Sequence, residues 1–204
     1  YRSATAVSVI LLDEEADELQ VTGRVLLMDL HVRSDTGGRS HISNTLGDGG
    51  HQTLQQLQHA EELADRIIRD RFSSIPPQMR FNFSVHESSA ELVGESLGVG
   101  AVAGLLAWRT RQMNLPERWT LSSVVACSGS ISAEGRVAAG SWDSVERKLQ
   151  LAFHSPVERF VLPAVHREAA LHALQRLQGE YPNRTFEVIG VSNVKDLPDA
   201  GGVA

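Results

Sequence analysis

The chain opens on a dense apolar run, Ala-Val-Ser-Val-Ile-Leu-Leu at 6–12, rich in β-branched residues. That composition over that length predicts a strand across 4–12. A second strand is predicted over 18–32, Glu-Leu-Gln-Val-Thr-Gly-Arg-Val-Leu-Leu-Met-Asp-Leu-His-Val, with the acidic stretch Asp13–Asp17 as the turn between them. Residues 33–50 are crowded with Gly, Ser, Asp, Thr and Asn and predict a loop. From Thr53 the spacing changes to a helical one. Leu54, Leu57, Ala60, Leu63, Ile67 and Ile68 fall on one face and charges fill the other, to about Phe72. Pro76-Pro77 breaks the chain, and 79–85 alternates as a strand. A helix apolar on every side, and so buried, is predicted over 94–111, then a buried strand over 121–127 and a hairpin over 130–139 turning at Gly135. Helices over 144–153 and 168–178, strands over 159–162 and 186–191, and a tail opening at Lys195-Asp196-Leu197 complete the order. No internal repeat or low-complexity segment interrupts it. Helices alternating with strands after an initial strand pair predict an α+β (α/β-like) single domain over 1–204, with mixed sheets, packed helices and 198–204 as a flexible tail.

Composition narrows the function classes. The chain has 204 residues, 42% hydrophobic and 22% charged, with formal net charge −6, and no lysine or arginine run exceeds two residues. Nucleic-acid binding needs clustered positive charge to displace counterions, so neither DNA nor RNA is an expected partner. No stretch approaches the roughly 20 apolar residues of a bilayer span, so no membrane partner is expected. The single Cys127 excludes an intrachain disulfide and accords with a cytoplasmic location. The chain begins at Tyr1, which is the expectation for a piece of a longer protein.

Two residues stand out chemically. Ser96 lies in Gly94-Glu95-Ser96-Leu97-Gly98, at the predicted start of the buried helix. Flanking glycines permit a sharp turn and the approach of another chain. Free N–H groups of the first turn can bind a phosphate or stabilise an oxyanion beside a serine. The plainer alternative is that Ser96 is an N-cap. Lys148 shares a helix face with Val145, Leu149 and Ala152. In a dry site an ammonium is costly, and burial lowers a lysine pKa from its reference of ~10.4 toward the range a general base needs. Its plainer alternative is a stem that snorkels its charge to water.

Along nearly its whole length the chain resembles the proteolytic domain of Lon proteases. Gly94-Glu95-Ser96-Leu97-Gly98 is similar to the family's Gly-Pro-Ser-Ala-Gly around the nucleophile. Phe83–Glu87 resembles the strand ending in an acidic residue before it, and Ser128–Val137 resembles the Thr-Gly-Glu-Ile…Gly-Arg-Val hairpin. Val145-Glu146-Arg147-Lys148-Leu149 is similar to Leu-Lys-Glu-Lys-Leu, and Phe160-Val161-Leu162-Pro163 to the Val-Ile-Leu-Pro strand. The resemblance implies a Lon-type fold and a serine endopeptidase that cleaves unfolded or loop segments of proteins through an acyl-enzyme. Ser96 would be the nucleophile, Lys148 the general base and Ser128 the hydroxyl that orients the lysine. Gly94, Glu95 and Leu97 would form the nucleophile loop and oxyanion region. The chain departs from the family where Glu95 replaces proline, where apolar Leu92-Val93 replaces Lys-Asp, and in about two added residues at Gly140-Ser141-Trp142. The loop over 113–119 is also longer.

No Gly-x-x-x-x-Gly-Lys-Ser/Thr loop is present, so no ATPase is expected in this chain; ATP would enter only through an upstream or partner module. The implied partners are a protein or peptide substrate, an ATPase or regulatory module upstream of Tyr1, and further copies of the chain, a hexamer by analogy. Three rival functions stand beside this one: a Lon-like scaffold without catalysis, a small-molecule kinase whose glycine-rich loop is Gly94–Gly104, and a metal enzyme. The kinase lacks a dense Gly-Ser-Ser run. For a metal, the eight histidines are scattered, and His166 and His172 are badly spaced on a helix. No metal is expected. His86 has no aligned role, and Glu87 is expected as a solvated carboxylate at a strand end.

Overall fold

Residues 125, 126 and 127 point alternately into two different hydrophobic cores, and this alternation organises the molecule. The structure, a computed structural model, describes residues 2–12, 23–34, 41–44, 50–77, 79–85, 96–121, 124–138 and 140–199. Nine strands appear among them: β1 (Arg2–Leu12), β2 (Gly23–Ser34), β3 (His41–Asn44), β4 (Met79–Val85), β5 (Val125–Cys127), β6 (Ser130–Ile131), β7 (Val137–Ala138), β8 (Arg159–Pro163) and β9 (Glu187–Val191). The helices are α1 (Gly50–Phe72), α2 (Gly98–Gln112), α3 (Trp142–Phe153) and α4 (Arg167–Glu180). Seven strands form one mixed sheet in the order β3-β4-β2-β1-β5-β8-β9, and β6 and β7 form a separate hairpin. The β1–β2 and β2–β4 pairs are antiparallel, whereas β1, β5, β8 and β9 run parallel. The class is α+β.

Strand side chains alternate between faces. Val125 and Cys127 of β5, Val161 of β8, and Ile189 and Val191 of β9 join one core with α1 and α2. Ala126, Phe160, Leu162 and Val188 join the other with α3 and α4. The sheet therefore separates two helical layers, and its parallel strands are covered on both sides.

The predicted elements recur with shifted ends. β4 matches its predicted span. The loop expected over 33–50 is corrected: β2 runs to Ser34 and β3 occupies His41–Asn44, pairing in parallel with β4 at the sheet edge. A four-residue edge strand with one apolar residue, Ile42, carries no legible alternation; its partner defines it. The predicted strand over 121–127 shrinks to β5. The predicted turn Asp13–Asp17 lies outside the described residues, as do His86 and Glu87. Near the C-terminus the chain is anchored before it leaves the described region. Val194 and Leu197 are fully buried, Pro198 is buried, and Asp199 pairs with Arg71 at 3.1 Å. Residues 200–204 lie outside the described residues.

One polar feature sits inside the α1–α2 contact. The Arg109 side chain has no exposure, and its Nη2 lies 2.8 Å from Asp65 Oδ1. The angle is off the line of a hydrogen bond, so the pair is held by charge and proximity. Arg109 Nη1 donates to Pro77 O at 2.6 Å, and the guanidinium stacks on Phe81 and Trp108.

Candidate functional site

The layering decides which residues can meet at the carboxyl end of β5. α2 precedes β5 and packs on one face; α3 follows it and packs on the other. In parallel α/β arrangements, a crevice at a strand's carboxyl end forms where flanking helices leave to opposite faces. Ser128 and Gly129 are the first residues beyond β5.

Ser96 lies in the turn before α2. The helix starts at Gly98 with Leu97 as N-cap, in αR conformation and with no side-chain cap hydrogen bond. The N-cap alternative for Ser96 is thereby corrected, and helix capping does not occupy its hydroxyl. Its backbone is fixed instead: Gly129 N–H donates to Ser96 O at 3.1 Å, and Val99 N–H donates to Gly129 O at 3.2 Å. The two bonds lace the start of α2 to the segment after β5. Gly129 holds φ +143°, open to glycine, and a Cβ there would press on Val137 and Val99 at 3.0 Å. Of the expected oxyanion region, Leu97 is buried and Val99 N–H is engaged by Gly129. Gly94 and Glu95 lie outside the described residues.

Lys148 reaches the same place from the other layer. It is one of only two lysines in the chain, and the other, Lys195, is exposed. Its helix is capped by Ser141, whose Oγ accepts from Ser144 N at 3.3 Å. The added Gly140-Ser141-Trp142 thus serves as a helix start. Val145, Leu149 and Ala152 are buried in the α3 core, which carries Lys148 inward with them. Lys148 is 8% exposed, so snorkelling to water is excluded, and its Nζ donates to Ser128 Oγ at 3.4 Å. Burial lowers its pKa below the ordinary lysine value, and no other cause contributes. Ser128 is itself buried at 4% exposure, its N–H held by Val161 O of β8 at 2.9 Å. Among the described residues, the Ser96 hydroxyl makes no hydrogen bond to Lys148.

Gln56 was missed as a site residue by sequence. It is buried on the inner face of α1, where its amide makes two bonds to β6: Gln56 Nε2 donates to Ile131 O at 3.0 Å, and Ile131 N–H donates to Gln56 Oε1 at 2.7 Å. A polar residue next to Leu57 on an otherwise apolar face was the available signal. Gly98 lies against this clamp. A Cβ there would meet Gln56 Oε1, and would come within 2.8 Å of Ile131 Cγ1. Alanine in an exposed helix interior gains about 1 kcal/mol over glycine, yet overpacking costs about 1–3 kcal/mol. Gly98→Ala is therefore expected to lower stability, as a reduced urea midpoint with unchanged slope.

The other candidates do not converge here. Cys127 is fully buried and its thiol is pushed up to about 12, which leaves it inert as a nucleophile. His166 Nε2 lies 3.0 Å from Gly140 O and its ring packs on Trp142, while His172 is exposed on α4. Among the described residues no group of three or more His, Cys, Asp or Glu is placed to hold a metal ion, and no helix is long and apolar enough to cross a membrane.

No family model matches the chain, and no curated protein matches it. The site has to be argued from its own geometry.

Proposed function

We propose that the chain is a serine peptidase of the Ser–Lys type, acting on unfolded or loop segments of proteins. Ser96 attacks the scissile carbonyl while Lys148, as the neutral amine, takes its hydroxyl proton. The resulting ammonium then protonates the leaving amine, and water, activated by the same lysine, hydrolyses the acyl-enzyme. Ser128 holds the lysine by accepting from it.

One observation carries this reading. A buried, desolvated lysine is seated on the hydroxyl of Ser128, and the next residue's N–H is bonded to the carbonyl of Ser96. Ser128 is closer to the amine but is shut from a substrate, whereas Ser96 is half-buried in a turn. Exposure therefore favours Ser96 as the nucleophile. The site needs no cofactor in this reading; an ATPase module upstream or in a partner would supply unfolding, and hexameric assembly is part of the same proposal. A second reading, a Lon-like scaffold without catalysis, is favoured by the missing hydrogen bond between Ser96 and Lys148.

Labelling by a fluorophosphonate separates the two. Wild type is expected to acquire one label at Ser96, Ser96→Ala none, and Ser128→Ala a label formed about 10–100-fold more slowly. Equal labelling of wild type and Ser96→Ala would sink the nucleophile assignment, and no labelling of folded wild type would leave the scaffold.

A further inference from the structure

The segment 128–131 holds the site together and is gripped from three sides. β8 holds the Ser128 N–H, the start of α2 holds both backbone groups of Gly129, and α1 holds both backbone groups of Ile131 through Gln56. The first two grips are main chain to main chain. The third depends on one side chain, which reaches across 75 positions of sequence. Ile131 pairs with Val137 across the hairpin, so the Gln56 amide acts as a second strand partner for a strand of only two residues. Such a strand has little ability to hold its own place.

We infer that Gln56 is a positioning residue, fixing 128–131 in the register that seats Lys148 on Ser128 and brings Ser96 beside them. The inference rests on the proposed peptidase site for its purpose. Its physical content, a link from Gln56 to the state of Lys148, stands separately. Gln56 does not touch the reacting atoms. With its amide gone, β6 can drift from α1, the Ser128 hydroxyl drifts with it, and water gains entry to the amine. Misplacement of a reacting group by about 1 Å costs rates on the order of 100-fold.

The lysine content makes the test direct. Lys148 and exposed Lys195 are the only lysines, so trace acetylation with acetic anhydride across a pH series, resolved by peptide mass, reads the buried amine against an internal control. In wild type, Lys148 is expected to show a midpoint below that of Lys195. Gln56→Met keeps the volume and removes both bonds; its Lys148 midpoint should rise toward that of Lys195. The rise corresponds to about a tenfold fall in neutral amine per unit at a fixed lower pH. Gln56→Glu keeps the acceptor for Ile131 N–H and should fall between. Fluorophosphonate labelling of Ser96 should slow in the same order.

Circular dichroism first establishes which variants fold; if Gln56→Met does not, Gln56→Glu decides alone. An unchanged Lys148 midpoint in a folded variant overturns the inference and leaves Gln56 as a partner for Ile131 only. Absence of Ser96 labelling in wild type overturns the peptidase reading instead, and the midpoints still report on Gln56.

Discussion

Lys148→Met is expected to abolish acylation at Ser96 and, in the same molecule, to make the fold more stable. The first effect follows from loss of the base: general base catalysis contributes about 100–10,000-fold, and labelling should fall by that range. The second follows from burial. Lys148 is 8% exposed, desolvation alone lowers its pKa, and its one hydrogen bond is a long 3.4 Å contact to a neutral hydroxyl. Methionine fills a similar volume without a charge to desolvate. Removing a poorly compensated buried charge for an apolar group gains about 1–2 kcal/mol, reduced by the donor that Ser128 loses.

The sign with pH is fixed. Because the folded pKa lies below the unfolded value, at low pH the lysine is charged in both states and the whole desolvation cost falls on the native state. As pH rises from the folded pKa toward ~10.4, the native state releases its proton first and the cost drains away. The gain of Lys148→Met should therefore be largest on the acid side and disappear in alkali. Urea unfolding of both proteins at several pH values checks this. A variant less stable than wild type at every pH would show that the lysine strengthens the fold and is not a strained functional group.

The second large effect concerns Asp65 and Arg109. Burial raises the Asp65 pKa despite Arg109 and Arg69, and burial lowers the Arg109 pKa despite Asp65 and Glu61. In both groups desolvation outweighs attraction, so the pair as a whole is a weak source of stability. Breaking it is another matter. Asp65→Ala leaves a fully buried guanidinium with the Pro77 carbonyl, the faces of Phe81 and Trp108 and the charge of Glu61. The expected loss is about 3–5 kcal/mol, a large share of a domain's stability. Asp65→Ala combined with Arg109→Met should recover most of it. A double variant no more stable than Asp65→Ala alone would mean that Arg109 holds α1 and α2 together through its contacts to Pro77, Phe81 and Trp108, and not through the ion pair.

Much of the architecture was legible because burial repeats with the period of the element. The face of α1 carrying Leu57, Ala60, Leu63 and Ile68 is buried as its spacing predicted, and α2 is buried from Gly98 to Thr110. β4 fell on its predicted span because its alternation is bounded by prolines upstream. β3 was not legible, since a short edge strand takes its conformation from its neighbour. The helix start at Gly98 was misplaced at Gly94, since glycines on both sides of Ser96 give no local stop.

The site divides in the same way. Sequence alone singled out Ser96 as a serine beside a buried helix and Lys148 as a cation on an apolar face, and local composition is enough for both. It did not give Gln56 its task, because nothing local distinguishes a buried amide that clamps a distant hairpin from an ordinary helix residue. Nor did it free Ser96 from capping. The layering decided those matters: strands that alternate between two cores send α2 and α3 to opposite faces of the sheet, and their first turns meet at the end of β5. Side-chain period is a local property of the chain. Which buried polar group finds which partner is set by long-range packing, where each unpaired donor or acceptor is too costly to leave alone.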